Sequence, residues 1–389
     1  MFKNKSLLWT LVFFLSFTIA QGNPIRNYET YELTKTKYKL EEISKGLNSP
    51  WGMTFIDEKN LLITEKNGRL LKVNTQSGEK KIIKHNIKSI GYNGSGQGGL
   101  LDVLYNDGYI YFSYSHDYSE TKNGKKYKKK SSTAIARGII QNNEIKNLEV
   151  LLEAKPKLRN NKHWGSRIVI KGNYLFASIG ERDHGMIAQD PAKHPGSIIR
   201  INKNGTLPKD NPRYKNHPKW LPEIYQIGLR NPQGMAISPY NEEVYFAQHG
   251  PMGGDHIGKV KYAGNMGWKD IAWGGKEYTG FKIGDVPFKK KYDNPIITWV
   301  PSMAIGSINF YKGNVFPEWN GDLLVSATRA NMILRLDFEN SKIVNEEIIL
   351  KDKIGRIRDF EIDQQGNIFI IIDDRNSTLW KMSNNKKSD

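Results

Sequence analysis

The chain has 389 residues, 38% hydrophobic and 25% charged, with a formal net charge of +18. That balance describes a folded body with a leaning toward anionic partners, long for one core but suited to a domain built of repeated layers. It contains no cysteine, which excludes disulfides, thiolate catalysis, iron–sulfur clusters and cysteine-ligated zinc.

In chain order, the first element is an export signal. Lys3 and Lys5 precede an apolar run from Leu7 to Ile19, and Thr18-Ile19-Ala20 is a small-x-small cleavage site before Gln21. The run is short for a membrane span, and no second one follows. Residues 1–20 are expected to leave as a signal peptide. Residues 21–389 then form one domain that is periplasmic or secreted, with no stable membrane insertion. Export fits poorly with nucleic acid as a partner. The densest basic run, Lys122 to Lys130, reads as a solvated hairpin tip.

A strand around Tyr31 to Leu40 is expected to pair with the end of the chain. Between them a phrase recurs, in which a turn of Asn, Asp or Gly leads into aromatic and β-branched residues. It starts at Lys59, Asp107, Gly172, Asn241, Asn320 and Gln365, about fifty to eighty residues apart, a period suited to one four-stranded sheet with insertions. Helical periodicity is nearly absent. The fold class is therefore all-β, a six-bladed β-propeller closed by its N-terminal strand so that no sheet edge is left open. The longest insertions, from about Gly180 to Gly313, are expected to be loops that build a site on one face.

Gly94-Ser95-Gly96-Gln97-Gly98-Gly99 has dinucleotide-loop spacing. The residues that follow read as strands rather than a helix, which argues against that use. The loop can still bring backbone close to a flat ligand, with Gln97 as its amide side chain. No HExxH or GxSxG motif occurs, so a zincin or an α/β-hydrolase triad is not expected. His163 leads directly into a strand, a rigid place for a general base. Glu181-Arg182-Asp183 could bind calcium, although no EF-hand spacing exists. Arg230 and Asn231 sit in a tight turn. Arg356 and Arg358 project to one side of a strand, which is disfavoured unless an anion lies between them or Asp359 or Glu361 partners them. Arginines gathered on the loops of one ring suit a polycarboxylate.

Taken together, these strings resemble the soluble quinone-dependent aldose sugar dehydrogenases. They run in order from Leu47-Asn48-Ser49-Pro50-Trp51-Gly52-Met53, through Gly96 to Leu100, His163 to Arg167, Ile179 to Arg182, Ala188 to Asp190, Asp210 to Pro212, Gly228 to Gly234 and Gln248 to Pro251, to Arg356 to Asp359. The resemblance implies a six-bladed propeller that binds pyrroloquinoline quinone (PQQ) and calcium and oxidises aldose sugars to lactones. His163 would be the base that takes the anomeric hydroxyl proton, while hydride passes to the quinone. Arg230 would support charge on the quinone oxygen. Gln97, Asn231, Arg356 and Arg358 would contact the cofactor, and the carbonyls of Gly250 and Pro251 would ligate calcium. Glu181 stands where the family has an aspartate beside the base. Arg329 replaces a cofactor-binding lysine, and His256 replaces an acidic residue. Trp299 matches an aromatic that covers the substrate. The protein would act as a monomer or homodimer and pass electrons to a quinone, a small redox protein or a dye. Two other readings stay open on this scaffold: a calcium-dependent lactonase, and a non-enzymatic propeller that binds sugar or protein.

Overall fold

Each copy of the repeated phrase folds into the same place, the second strand of a four-stranded antiparallel unit. These strands are Asn60–Glu65, Tyr109–Tyr118, Tyr174–Ile179, Val244–Gln248, Leu323–Ala327 and Ile368–Ile372. A second strand has partners on both edges and sheets on both faces, so its apolar residues run on instead of alternating. Val244–Gln248 and Leu323–Ala327 are buried at every position. The computed structural model describes residues 25–92, 94–118, 121–122, 125–126, 130–283, 289–339 and 342–385. Among these residues, six sheets are arranged as a β-propeller, and helix is limited to Pro212–Lys215 and three 3-10 turns. The expected signal segment, residues 1–20, lies outside the described residues. No described helix is long and apolar enough to cross a membrane.

The ring closes where Tyr38–Leu47 runs antiparallel to Ser377–Asn384. The closing strand thus begins at Tyr38 rather than Tyr31, because Tyr38, Leu40 and Ile43 are the residues that pack on the core between the last and first sheets. Upstream, Glu32–Leu33 lies parallel to the outer strand Lys342–Lys351, and Ile25–Arg26 lies parallel to Ile297–Trp299. Of the basic run, Thr121–Lys122 pairs with Lys125–Lys126 and Lys130 pairs with Tyr118 in the hairpin below, and the rest lies outside the described residues. Separate apolar clusters fill the spaces between neighbouring sheets, as face-to-face sheet packing requires.

The inner strands are Pro50–Phe55, Leu100–Asn106, Gly165–Lys171, Pro232–Ile237, Ile305–Phe310 and Ile357–Ile362. Every one breaks register with its neighbour near its start. Such bulges bend a strand and re-aim its side chains. The third residues of four inner strands, Asp102, Arg167, Ser307 and Asp359, are all buried. Arg167 Nη1 reaches Asp102 at 2.9 Å and Asp359 at 3.2 Å, tying three blades together at the centre of the ring.

Candidate active site

In an antiparallel unit, the start of the inner strand and the end of the second strand lie at the same face. Gln97, His163, Arg230, Asn231 and Arg356 stand just before inner strands, and Arg358 is the second residue of one. Glu181, Gly250, Arg329 and Asp373 stand just after second strands. Topology therefore gathers at one face residues that are far apart in the chain.

His163 has φ +52°, and Ser166, Arg182 and Asp183 are also in the left-handed region. Each costs about 1–3 kcal/mol and persists only where its surroundings enforce it. Here Arg182 does so. Its buried guanidinium lies 3.4 Å over the Trp164 ring and donates to the carbonyls of Ser131 (2.9 Å), Lys162 (3.0 Å) and Asn160. Gly180 must be glycine, because a Cβ there would lie 2.1 Å from the His163 carbonyl.

His163 Nδ1 lies 2.7 Å from Glu181 Oε1. A carboxylate only accepts, so Nδ1 carries the hydrogen and Nε2 keeps its lone pair. The other Glu181 oxygen accepts from the backbone N–H of His184 at 2.7 Å and of Gly185 at 3.3 Å, which fixes the carboxylate. Burial lowers the His163 pKa below its ordinary value, and Arg230 adds to this against the opposing hydrogen bond from Glu181. The imidazole is therefore neutral at neutral pH, with a basic nitrogen available. Gln97 Oε1 accepts from the His163 backbone N–H at 2.7 Å, which leaves its amide NH2 as the group available to a ligand. The glycine-rich loop bearing Gln97 is held by Lys66 on Gly96 O (3.4 Å) and by Arg375 on Gly94 O (2.8 Å).

Arg230 is buried. Its N–H donates to Gln248 Oε1 (2.7 Å), its Nη1 donates to Gly250 O (3.2 Å), and its Nε has no partner among the described residues. Gln248 passes the order on, since its Nε2 lies 2.8 Å from His256 Nε2, and His256 Nδ1 lies 2.9 Å from Gly254 O. That chain requires a neutral His256, and burial pushes its pKa down to about 4. Asn231 Oδ1 accepts from Gly165 N–H at 3.1 Å, bracing one blade against the next.

The anion between Arg356 and Arg358 is neither Asp359 nor Glu361 but Asp373, at 3.4 and 2.8 Å. Asp359 instead faces Arg167. Burial would raise the Asp373 pKa, but Arg358, Lys66 and Arg356 together hold it well below the usual carboxylate range. Arg358 Nη1 also donates to Gln233 at 2.7 Å, while its buried Nε has no partner. Arg329 is exposed on the same face.

Two expected assignments are not brought together with this cluster. Trp299 is fully buried in the core between the fourth and fifth blades, with its indole N–H donating to Tyr31 at 3.1 Å. Its strand is covered by Ile25–Arg26, so it offers no face to a substrate. Gly250 O, expected to ligate calcium, is occupied by Arg230. A cation there would meet a guanidinium, and the nearby Asp255 already accepts from Gly250 N, Ser302 and Ala304 N. As placed, these residues do not fit a calcium ion. His163, Glu181 and Asp183 also bring ligand atoms within 4.8 Å of one another. However, Nδ1 is spent on Glu181, and Asp183 is held by Asn160 at 3.2 Å.

The cationic face does fit a polycarboxylate. Among the described residues the Nε groups of Arg230 and Arg358 lack partners, Arg356 and Arg329 are exposed on the same face, and a cavity of about 460 Å³ opens onto His163, Gln97 and Arg230. Sequence reading missed Asp373, and it quoted Gln248 and Gln233 within longer strings without giving them a role. Asp373 shows in the sequence only as the polar end of an isoleucine run.

The sequence profile of the glucose/sorbosone dehydrogenase family matches residues 47–381. The chain belongs to this family. It is 30% identical to the aldose sugar dehydrogenase YliI of Escherichia coli strain K12, over 88% of this chain and 92% of that one. Quinoprotein glucose dehydrogenase B of Acinetobacter calcoaceticus is 25% identical over 97% of this chain and 94% of its own length. The apo crystal structure of the Escherichia coli soluble aldose sugar dehydrogenase superposes with a TM-score of 0.81 at 29% identity, covering 89% of this chain and 99% of that one. Family membership covers every residue of the cluster, since all lie between positions 47 and 381.

Proposed function

We propose that the protein is a PQQ-dependent dehydrogenase that oxidises the anomeric carbon of aldose sugars to lactones. One observation carries this reading. A neutral histidine, fixed in its tautomer by Glu181, opens onto the same cavity as a buried guanidinium with an unpartnered N–H. When bound, the quinone supplies the acceptor for a hydride from the sugar C1. The rest falls to the chain. His163 Nε2 takes the anomeric hydroxyl proton, and Glu181 stabilises the imidazolium that results. Arg230 would support the negative charge that develops on the quinone oxygen. Gln97, Asn231, Arg329, Arg356 and Arg358 would hold the cofactor, the arginines with forked donors suited to its carboxylates. The reduced protein would be reoxidised by an external quinone, redox protein or dye.

The lactonase reading needs a carboxylate-lined metal at the ring centre. The centre here holds Arg167 between Asp102 and Asp359, which disfavours it.

The test is dye-linked oxidation of an aldose panel by apo-protein, with and without PQQ and with and without calcium. Turnover that appears only with PQQ upholds the reading, and none together with no PQQ binding removes it. Calcium is included on the family resemblance alone. If it has a seat at Gly250 and Pro251, Arg230 must leave Gly250 O, and full turnover in chelator would discard it. The pH profile is a further expectation. Because the His163 pKa lies below its ordinary 6.5, kcat/KM should rise with pH through an apparent pKa below 6.5 and then level off. A midpoint above 7 would contradict this assignment of the base.

A further inference from the structure

The cavity in front of His163 has two walls. The first is lined by Gln97, Lys162, His163, Asp183 and Arg230, and the second by Glu277, Tyr278 and Thr279. The second wall is a small folded-back segment. Gly280 N donates to Glu277 O (2.9 Å), Glu277 N donates to Phe281 O (2.8 Å), and Ile283 N donates to Gly275 O (2.9 Å). Its base is anchored by buried Ile283, which packs with Ala188, Trp268 and Ala272. Its flank is held by a 2.6 Å ion pair between Glu277 and Lys269.

On this anchored segment sit the two most exposed large apolar side chains among the described residues, Phe281 at 75% and Tyr278 at 67%. Exposed aromatic surface beside a cleft marks a place that a ligand covers. The other aromatic residues near the site are already committed. Trp299 is in the core, while Trp268 and Trp273 are buried around a separate, smaller cavity beside Arg230. Among the described residues, Tyr278 is the one aromatic side chain that lines the cavity of His163.

We infer that Tyr278 is the sugar-stacking platform of this protein, a specificity-determining residue that shares the substrate cavity with His163. A pyranose has an apolar face that suits an aromatic ring. Its hydroxyl edge would meet Lys162, Asp183 and Glu277, which supply both donors and acceptors. The inference rests on the proposed sugar substrate, not on the identity of the cofactor. Stacking acts on substrate and transition state alike, so it sets KM rather than kcat.

The experiment compares wild type, Tyr278→Ala and Tyr278→Phe with glucose and xylose. It reads KM and kcat in the PQQ-loaded protein and sugar affinity by calorimetry in the quinone-free protein. Tyr278→Ala is expected to raise KM roughly tenfold with kcat within a few-fold, to weaken calorimetric sugar binding in step, and to leave PQQ binding unchanged. Tyr278→Phe is expected to retain the wild-type KM, because the ring and not the hydroxyl makes the contact. Unchanged KM and unchanged affinity in Tyr278→Ala would overturn the platform, as would a wild type that binds no sugar. Sugar binding that depends on Tyr278 in a protein that binds no PQQ would uphold the platform and sink only the quinone reading.

Discussion

Replacing His163 with glutamine is expected to lower kcat by about 10²–10⁴-fold, the usual share of a positioned general base. Glutamine can still place an amide N–H toward Glu181 Oε1, which now accepts from His163 at 2.7 Å, and its backbone N–H can still reach Gln97. The shape of the site should therefore survive while the basic nitrogen is lost. PQQ binding, followed by absorbance, is expected to remain within a few-fold of wild type, since the arginines proposed to hold its carboxylates, with unpartnered Nε on Arg358 and Arg230, are untouched. The matched Glu181→Gln variant should fall in the same direction by at least about 100-fold. An amide at that position can present its N–H and reverse the tautomer of His163, the failure seen when a triad aspartate is neutralised. Near-normal turnover in His163→Gln would take the proton-abstracting role away from this residue.

The second large effect is on stability. Arg167→Met is expected to cost about 3–5 kcal/mol, because it leaves Asp102 and Asp359 buried without their cation. It also removes the guanidinium stacked 4.8 Å from the Trp51 ring and the Nε donor to Gln233 O. The pH dependence has a definite sign. Burial pushes the Asp102 pKa up to about 7, against the pull of Arg167. A carboxyl raised in the folded state holds a proton that the unfolded chain releases, so stability falls as pH rises between roughly 4 and 7. Without Arg167 the carboxylates are harder still to ionise, and the penalty grows with pH. Urea unfolding at pH 5 and pH 8 should therefore show a larger loss for the variant at pH 8. An equal loss at both values would mean that Asp102 does not titrate between them.

The site and the stability network meet in one residue. Gln233 accepts from Arg358 through its side chain and from Arg167 through its carbonyl. The centre of the ring thereby sets the position of an arginine on the face of the candidate site, so losses at Arg167 should propagate to the proposed PQQ affinity.

Much of this was legible in the sequence. The six second strands are buried on both faces, so their composition repeats whatever lies between them, and the blade count follows. His163 could be singled out because it immediately precedes a strand, where local sequence fixes the backbone. The expected signal segment, and most of the basic run, lie outside the described residues. What the sequence could not settle were pairings made by closing the ring. Asp373 becomes the partner of Arg356 and Arg358 only because neighbouring strands of one blade end together. Asp359 turns to Arg167 because a bulge between Ile357 and Asp359 re-aims it. Trp299 looks like a substrate cover in a local string, but residues near the N-terminus, Ile25–Arg26 and Tyr31, seal it into a core. Arg230 takes the Gly250 carbonyl because two loops twenty residues apart emerge at one face. Local periodicity encodes which residues are buried. Which buried or converging groups meet is decided by register and closure, which no short stretch of the chain specifies.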